Sequence, residues 1–180
     1  MKLFKKAVAS LAVALLVGPV ALAQEKAIEK KPADQEPTTV QEFVAKAISC
    51  DIAEVKLSEY AFKNAEDKDV KEFARKMVDA HNSHREKMME RAKDLKLAIV
   101  GGAGREAQEK LLALSRLKGK EFDREYMRTM VENHEKALTM YQTWARKVDN
   151  KEFGDFLNQT ASTVKEHLEE ARKLADRLKG

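Results

Sequence analysis

Four stretches of this chain place apolar residues at alternating steps of three and four, and each stripe is interrupted by a histidine or a carboxylate. That spacing belongs to helices with one buried face. Four such helices have one simple way to hide their faces together, a four-helix bundle. No strand pattern and no internal repeat competes with this reading.

The first helix is expected from Thr39 to about Asn64, opened by Thr39 and Glu42 as a capping box. Val44, Ile48, Ile52, Val55 and Phe62 form its apolar stripe, and Ala47, Asp51, Glu54, Ser58 and Ala61 run beside it. Asp69 and Glu72 suggest a second box, and the helix behind it has the clearest seam: Val70, Phe73, Met77, His81, His84, Met88 and Leu95. A third long helix takes in Phe122 to Val148, with Met127, Met130, His134, Leu138 and Tyr141 on its seam. Asp149 and Glu152 then lead into a last helix that buries Phe153, Leu157, Thr160, Val164, His167, Ala171 and Leu174.

Loop lengths choose the topology. Short turns join the first pair and the last pair, so each pair is an antiparallel hairpin. The link from Leu97 to Gly119 is long and holds its own helical stretch, Arg105 to Leu117. About 13 residues at roughly 1.5 Å each cover about 20 Å, enough to cross the bundle. The expected fold is therefore all-α, a ferritin-like four-helix bundle with a short extra helix in the crossover between the second and third long helices.

The interrupting side chains fall at similar heights. Glu54 is about 12 residues before the first turn and His81 about 15 after it; His134 is about 15 before the last turn and His167 about 18 after. Mismatches of about 4 to 5 Å within each pair are within the reach of a tilt or a long side chain. Neutral imidazole and carboxylate suit zinc or copper, with iron also accommodated. Glu54, His81, His134 and His167 are thus the expected ligands of one metal ion. His84 and Asp51 stand next in line, as further ligands or as partners that orient the others. The alternative is a metal-free bundle serving envelope stress or partner binding, with its histidines in a buried polar network. No Ser/His/Asp arrangement, phosphate loop or Cys-x-x-Cys directs the reading to an enzyme.

The stretches EVKLSEYA, FARKMVDAH, FDREYMRTMVENH and KEHLEEA resemble the family catalogued as domain of unknown function 4142. Members are exported bacterial proteins, commonly labelled outer membrane proteins, and the resemblance implies a ferritin-like fold over about Thr39 to Leu178. It also implies that Glu54, His81, Asp123, Tyr126, His134 and His167 are the recurring polar positions. Asp123 is expected to favour the start of its own helix and Tyr126 to bond at the crossover. Di-iron ferritin-like proteins carry Glu-x-x-His pairs, whereas Val78, Val131 and Val164 precede these histidines by three. A single ion is expected rather than a di-iron centre.

Residues 1–23 read as an export signal: Lys2, Lys5 and Lys6, the apolar run Ala7 to Val17, and Ala21-Leu22-Ala23 for cleavage. The apolar stretch is about 17 residues with Pro19 inside it, short of the roughly 20 a membrane span needs. The product is expected in the periplasm or outside the cell, without stable membrane insertion. Residues 24–38 form a charged leader with Pro32 and Pro37, and residues 39–178 the folded domain. Removing three signal lysines takes the net charge from +4 to about +1, too little to direct the protein to nucleic acid. Cys50 is the sole cysteine, so no internal disulfide supports the fold.

Overall fold

The computed structural model describes residues 36–99 and 101–179. The signal and most of the leader lie outside the described residues. Among the described residues five helices follow in order: α1 (Val40–Asn64), α2 (Lys68–Asp94), α3 (Arg105–Ser115), α4 (Gly119–Ala145) and α5 (Lys151–Arg177). No strand occurs among the described residues.

Helix starts differ from the expected boxes by a residue or two. Thr39 does cap α1, accepting from the Glu42 amide at 3.1 Å, but Glu42 turns back to Thr38 rather than Thr39. Asp67, not Asp69, caps α2, because its carboxylate accepts from the Asp69 and Val70 amides while Arg177 holds it from α5. Asn150, not Asp149, caps α5 through the Phe153 amide at 2.8 Å. In each case a short polar side chain satisfies amides that the first helical turn leaves open. Gly119, at the end of the link, opens α4 with φ +57°, a left-handed conformation that suits a residue without Cβ.

Packing fixes the topology. Phe43 at the start of α1 stacks on Trp144 near the end of α4, with ring centroids 5.0 Å apart, and meets Phe153 at the start of α5. At the opposite end the α1–α2 turn is bonded by Asp123 from the start of α4. Helices α2 and α4 therefore run in the same direction, and α3 makes the crossover. Its approach is pinned near the start of α1, where the Ala98 amide donates to Gln41 at 2.9 Å. Its far end buries Leu114 in the cluster that holds Phe122 and Tyr126. This is the ferritin-like connectivity expected from the loop lengths.

The core is divided. One apolar cluster gathers Phe43, Ile48, Met88, Trp144, Phe153 and Val164; another gathers Leu57, Val70, Met77, Met130 and Ala171. On every long helix the break between them falls at the interrupting polar residue: Asp51 and Glu54 on α1, His81 and His84 on α2, His134 on α4, His167 on α5. Phe62, assigned to the α1 seam from its spacing, is 46% exposed. The neighbouring Ala47–Asp51–Glu54–Ser58–Ala61 stripe is buried instead, since the bundle axis lies over that face.

Candidate metal centre

The polar layer is built from α2, α4 and α5 around three imidazoles. The ring centroids of His81 and His134 are 5.7 Å apart, those of His134 and His167 5.7 Å, and those of His81 and His167 6.2 Å. One ligand atom from each lies within 4.8 Å of the others. An ion with bonds of about 2.0–2.1 Å would hold three such nitrogens roughly 3.4 Å apart, within reach of small ring rotations.

Hydrogen bonds decide which nitrogens face inward. His134 Nδ1 lies 2.8 Å from the Met130 carbonyl, which can only accept, so Nδ1 carries the proton and Nε2 the lone pair. His81 Nδ1 lies 2.9 Å from Asp51 Oδ1, with the same consequence. The nitrogens left without a partner are His81 Nε2, His134 Nε2 and His167 Nδ1, all buried.

Asp51 is buried between two rings. Its second oxygen lies 2.8 Å from His84 Nδ1, so one carboxylate orients both histidines of α2. His84 stacks on Phe156, with rings 5.6 Å apart and nearly parallel, and does not join the inner trio. Glu54 stands beside the trio without entering the 4.8 Å set. Its Oε1 accepts from Asn133 Nδ2 at 2.7 Å, while Oε2 is buried and unpartnered. Asn133 was not singled out in the sequence, although it immediately precedes His134; nothing in an amide's position on a seam's edge announces a carboxylate partner on another helix. Asn133 in turn accepts from Lys110, which pairs with Glu106 at 2.9 Å, both on α3. The crossover helix thus reaches the edge of the site.

Asp123 and Tyr126 lie outside it and do something other than expected. Asp123 accepts from the Glu66 and Asp67 amides at 3.1 and 2.8 Å, capping the neighbouring hairpin rather than its own helix. Tyr126 bonds Ser58 of α1 at 2.9 Å rather than the crossover. Both are buried where α4 crosses α1.

Burial and mutual repulsion set the protonation. Burial, then the charges on His134, His81 and Lys76, push His167 down to about 3. His134 is lowered chiefly by burial, against the pull of Glu54. Burial would lower His81 too, but the Asp51 hydrogen bond and the Glu54 and Asp51 charges outweigh it and raise that ring. For the metal-free protein the signs follow. His134 and His167 bind protons less readily when folded, so their contribution is complete above about 6.5 and is lost as pH falls. His81 acts oppositely, its contribution being complete below about 6.5 and lost as pH rises through its raised value. Urea unfolding in chelator should therefore give lower stability at pH 5 than at pH 7, by about 2 kcal/mol from His167 alone. Equal midpoints at the two pH values would contradict the buried, neutral His167.

Comparison with known proteins adds family and fold. The family model for a domain of unknown function (DUF4142) matches residues 23–174. No curated protein matches the chain. Among solved structures, CopM in its Cu(II)-bound form aligns with a TM-score of 0.65 at 17% identity, over 76% of this chain and 95% of that one. A DUF305 protein from Streptomyces coelicolor, described as secreted, aligns with a TM-score of 0.58 at 17% identity, over 74% of this chain and 89% of that one.

Proposed function

The chain belongs to the DUF4142 family, and from that starting point we propose that it is an extracytoplasmic helical bundle that binds a single transition metal ion through His81, His134 and His167. The observation that carries this reading is the set of three buried, partnerless imidazole nitrogens converging within 4.8 Å. Buried polar atoms are nearly always satisfied, and these three nitrogens have no partner in the protein. A cation between them satisfies all three. The Asp51–His81 and Met130–His134 bonds hold those two rings in the tautomer that coordination needs.

Imidazole nitrogen suits copper and zinc, and the shared fold with CopM, solved with Cu(II), makes copper the ion to try first. Residues 1–23 serve as the export signal, residues 24–38 as a leader and residues 39–178 as the metal-binding domain. The likeness to a protein described as secreted supports export. No helix among the described residues is long and apolar enough to cross a membrane. Holding one ion inside a helical bundle suits metal buffering or tolerance outside the cytoplasm.

The competing reading, a metal-free polar core in a partner-binding bundle, draws on the Asp51–His81 contact, which is a satisfied ion pair when His81 is protonated. Metal content separates the two. Protein purified without chelator or affinity tag should carry close to one equivalent of copper or zinc, and chelator-treated protein should regain thermal stability when one equivalent is returned. Metal-free protein whose melting is indifferent to both ions would overturn the proposal.

A further inference from the structure

Resting on that metal-binding reading, we infer that the centre keeps an exchangeable fourth position for water or a small inorganic anion, and that Glu54 faces this position as a hydrogen-bond acceptor without ligating the ion. Three nitrogens occupy three of the four positions of a tetrahedral ion, and a centre with three protein ligands and one exchangeable position is chemically distinct from a closed structural one.

Two observations place Glu54 across a gap. It lies outside the set of atoms within 4.8 Å, yet its charge acts on both His81 and His134. The side chain is also held from behind. Asn133 fixes Oε1 at 2.7 Å and is itself fixed by Lys110, so a swing toward the imidazoles would break a half-buried hydrogen bond. What remains is Oε2, on a residue only 6% exposed, with no partner of its own. A water on the ion would donate one hydrogen to it, satisfying the last orphaned atom of the layer. There is room for exchange: a cavity of about 990 Å³ is lined by all three imidazoles together with Glu54, Asn133 and Lys110.

The carboxylate also sets the preference. Its negative charge opposes an anion in the fourth position while favouring water, and removing that charge should tighten anion binding by at least about 10-fold.

Cobalt(II) is a suitable reporter, because its visible spectrum changes when a ligand is exchanged or added. The cobalt-loaded full-length mature protein should change spectrum on titration with sodium azide. Glu54→Gln should keep cobalt within about 10-fold of the parent affinity and bind azide at least about 10-fold more tightly. Asn133→Leu frees the carboxylate to swing onto the ion, and should retain cobalt while weakening azide several-fold. Spectra of both parent and Glu54→Gln unmoved by saturating azide, or loss of cobalt by more than about 100-fold in Glu54→Gln, would overturn this inference alone. Failure of the parent to take up cobalt, copper or zinc would instead overturn the metal-binding reading beneath it.

Discussion

Calorimetric titration of the His134→Ala variant should show no stoichiometric uptake of copper or zinc, with affinity reduced by more than about 100-fold. Of the three imidazoles, His134 is the most firmly set. Its Nδ1 proton is held by a carbonyl within its own helix, 2.8 Å away, so the orientation survives any movement of the side chains around it. Its ring is the one that stands 5.7 Å from each of the other two. Without it, two nitrogens on different helices must hold the ion against water with no third donor. Loss of a group that only orients a ligand commonly costs about 10- to 100-fold. His84→Ala, which removes one of the two bonds to Asp51, should fall in that range and no lower. The His134 variant should remain helical, since the apolar clusters on either side of the layer do not include that residue. Full-strength binding by the variant would return His134 to a packing role.

How far this centre was legible in the sequence follows from what periodicity encodes. Steps of three and four report which face of a helix is buried, and they placed His81, His134 and His167 inward on three helices. Residue counts from the turns gave heights good to about a helical turn, enough to bring those rings together. They could not decide Glu54 against Asp51, one turn apart on the same stripe. That choice depends on the offset between α1 and α2, which sets Asp51 against both His81 and His84 and leaves Glu54 to Asn133. Spacing put Phe62 on the apolar stripe with Val44, Ile48 and Val55, which are buried together with Asp51, Glu54 and Ser58, but Phe62 itself faces solvent.

The crossover was readable because loop length is a hard limit: the segment between Leu97 and Gly119 has the reach to span the bundle, and it does so through α3. The caps were less so. Asp67 wins over Asp69 with help from a contact made after the chain has folded, the Asp67–Arg177 pair between α2 and α5, while Asn150 caps α5 locally through the Phe153 amide. Capping boxes describe one helix alone and carry no information about such partners.

The same limit hid what Asp123 does, since its partners lie on the neighbouring hairpin rather than on its own helix. Asp123→Ala should destabilise the protein by about 3 kcal/mol, the sum of two lost bonds at roughly 1–3 kcal/mol each when the donors stay buried, reduced where water reaches them. Asp123 is 1% exposed, and each of its oxygens accepts one amide of the α1–α2 turn. The second amide belongs to Asp67, which caps α2 and pairs with Arg177. One carboxylate on α4 therefore holds the turn that sets the start of α2 and the end of α5. For a chain of this size the loss corresponds to a melting temperature lower by about 6–12 °C. Arg177→Ala removes an exposed partner of the same cluster and should cost far less than the Asp123 change, so the comparison isolates the Asp123 bonds from the surface charge. Hydrogen exchange locates the effect: the Glu66 and Asp67 amides should lose protection in Asp123→Ala before the α4 amides do. Metal affinity should change by less than about 10-fold, because Asp123 touches neither the imidazoles nor their partners. A stability within about 0.5 kcal/mol of the parent would mean that water replaces both bonds, and the turn would then have to be held by packing alone.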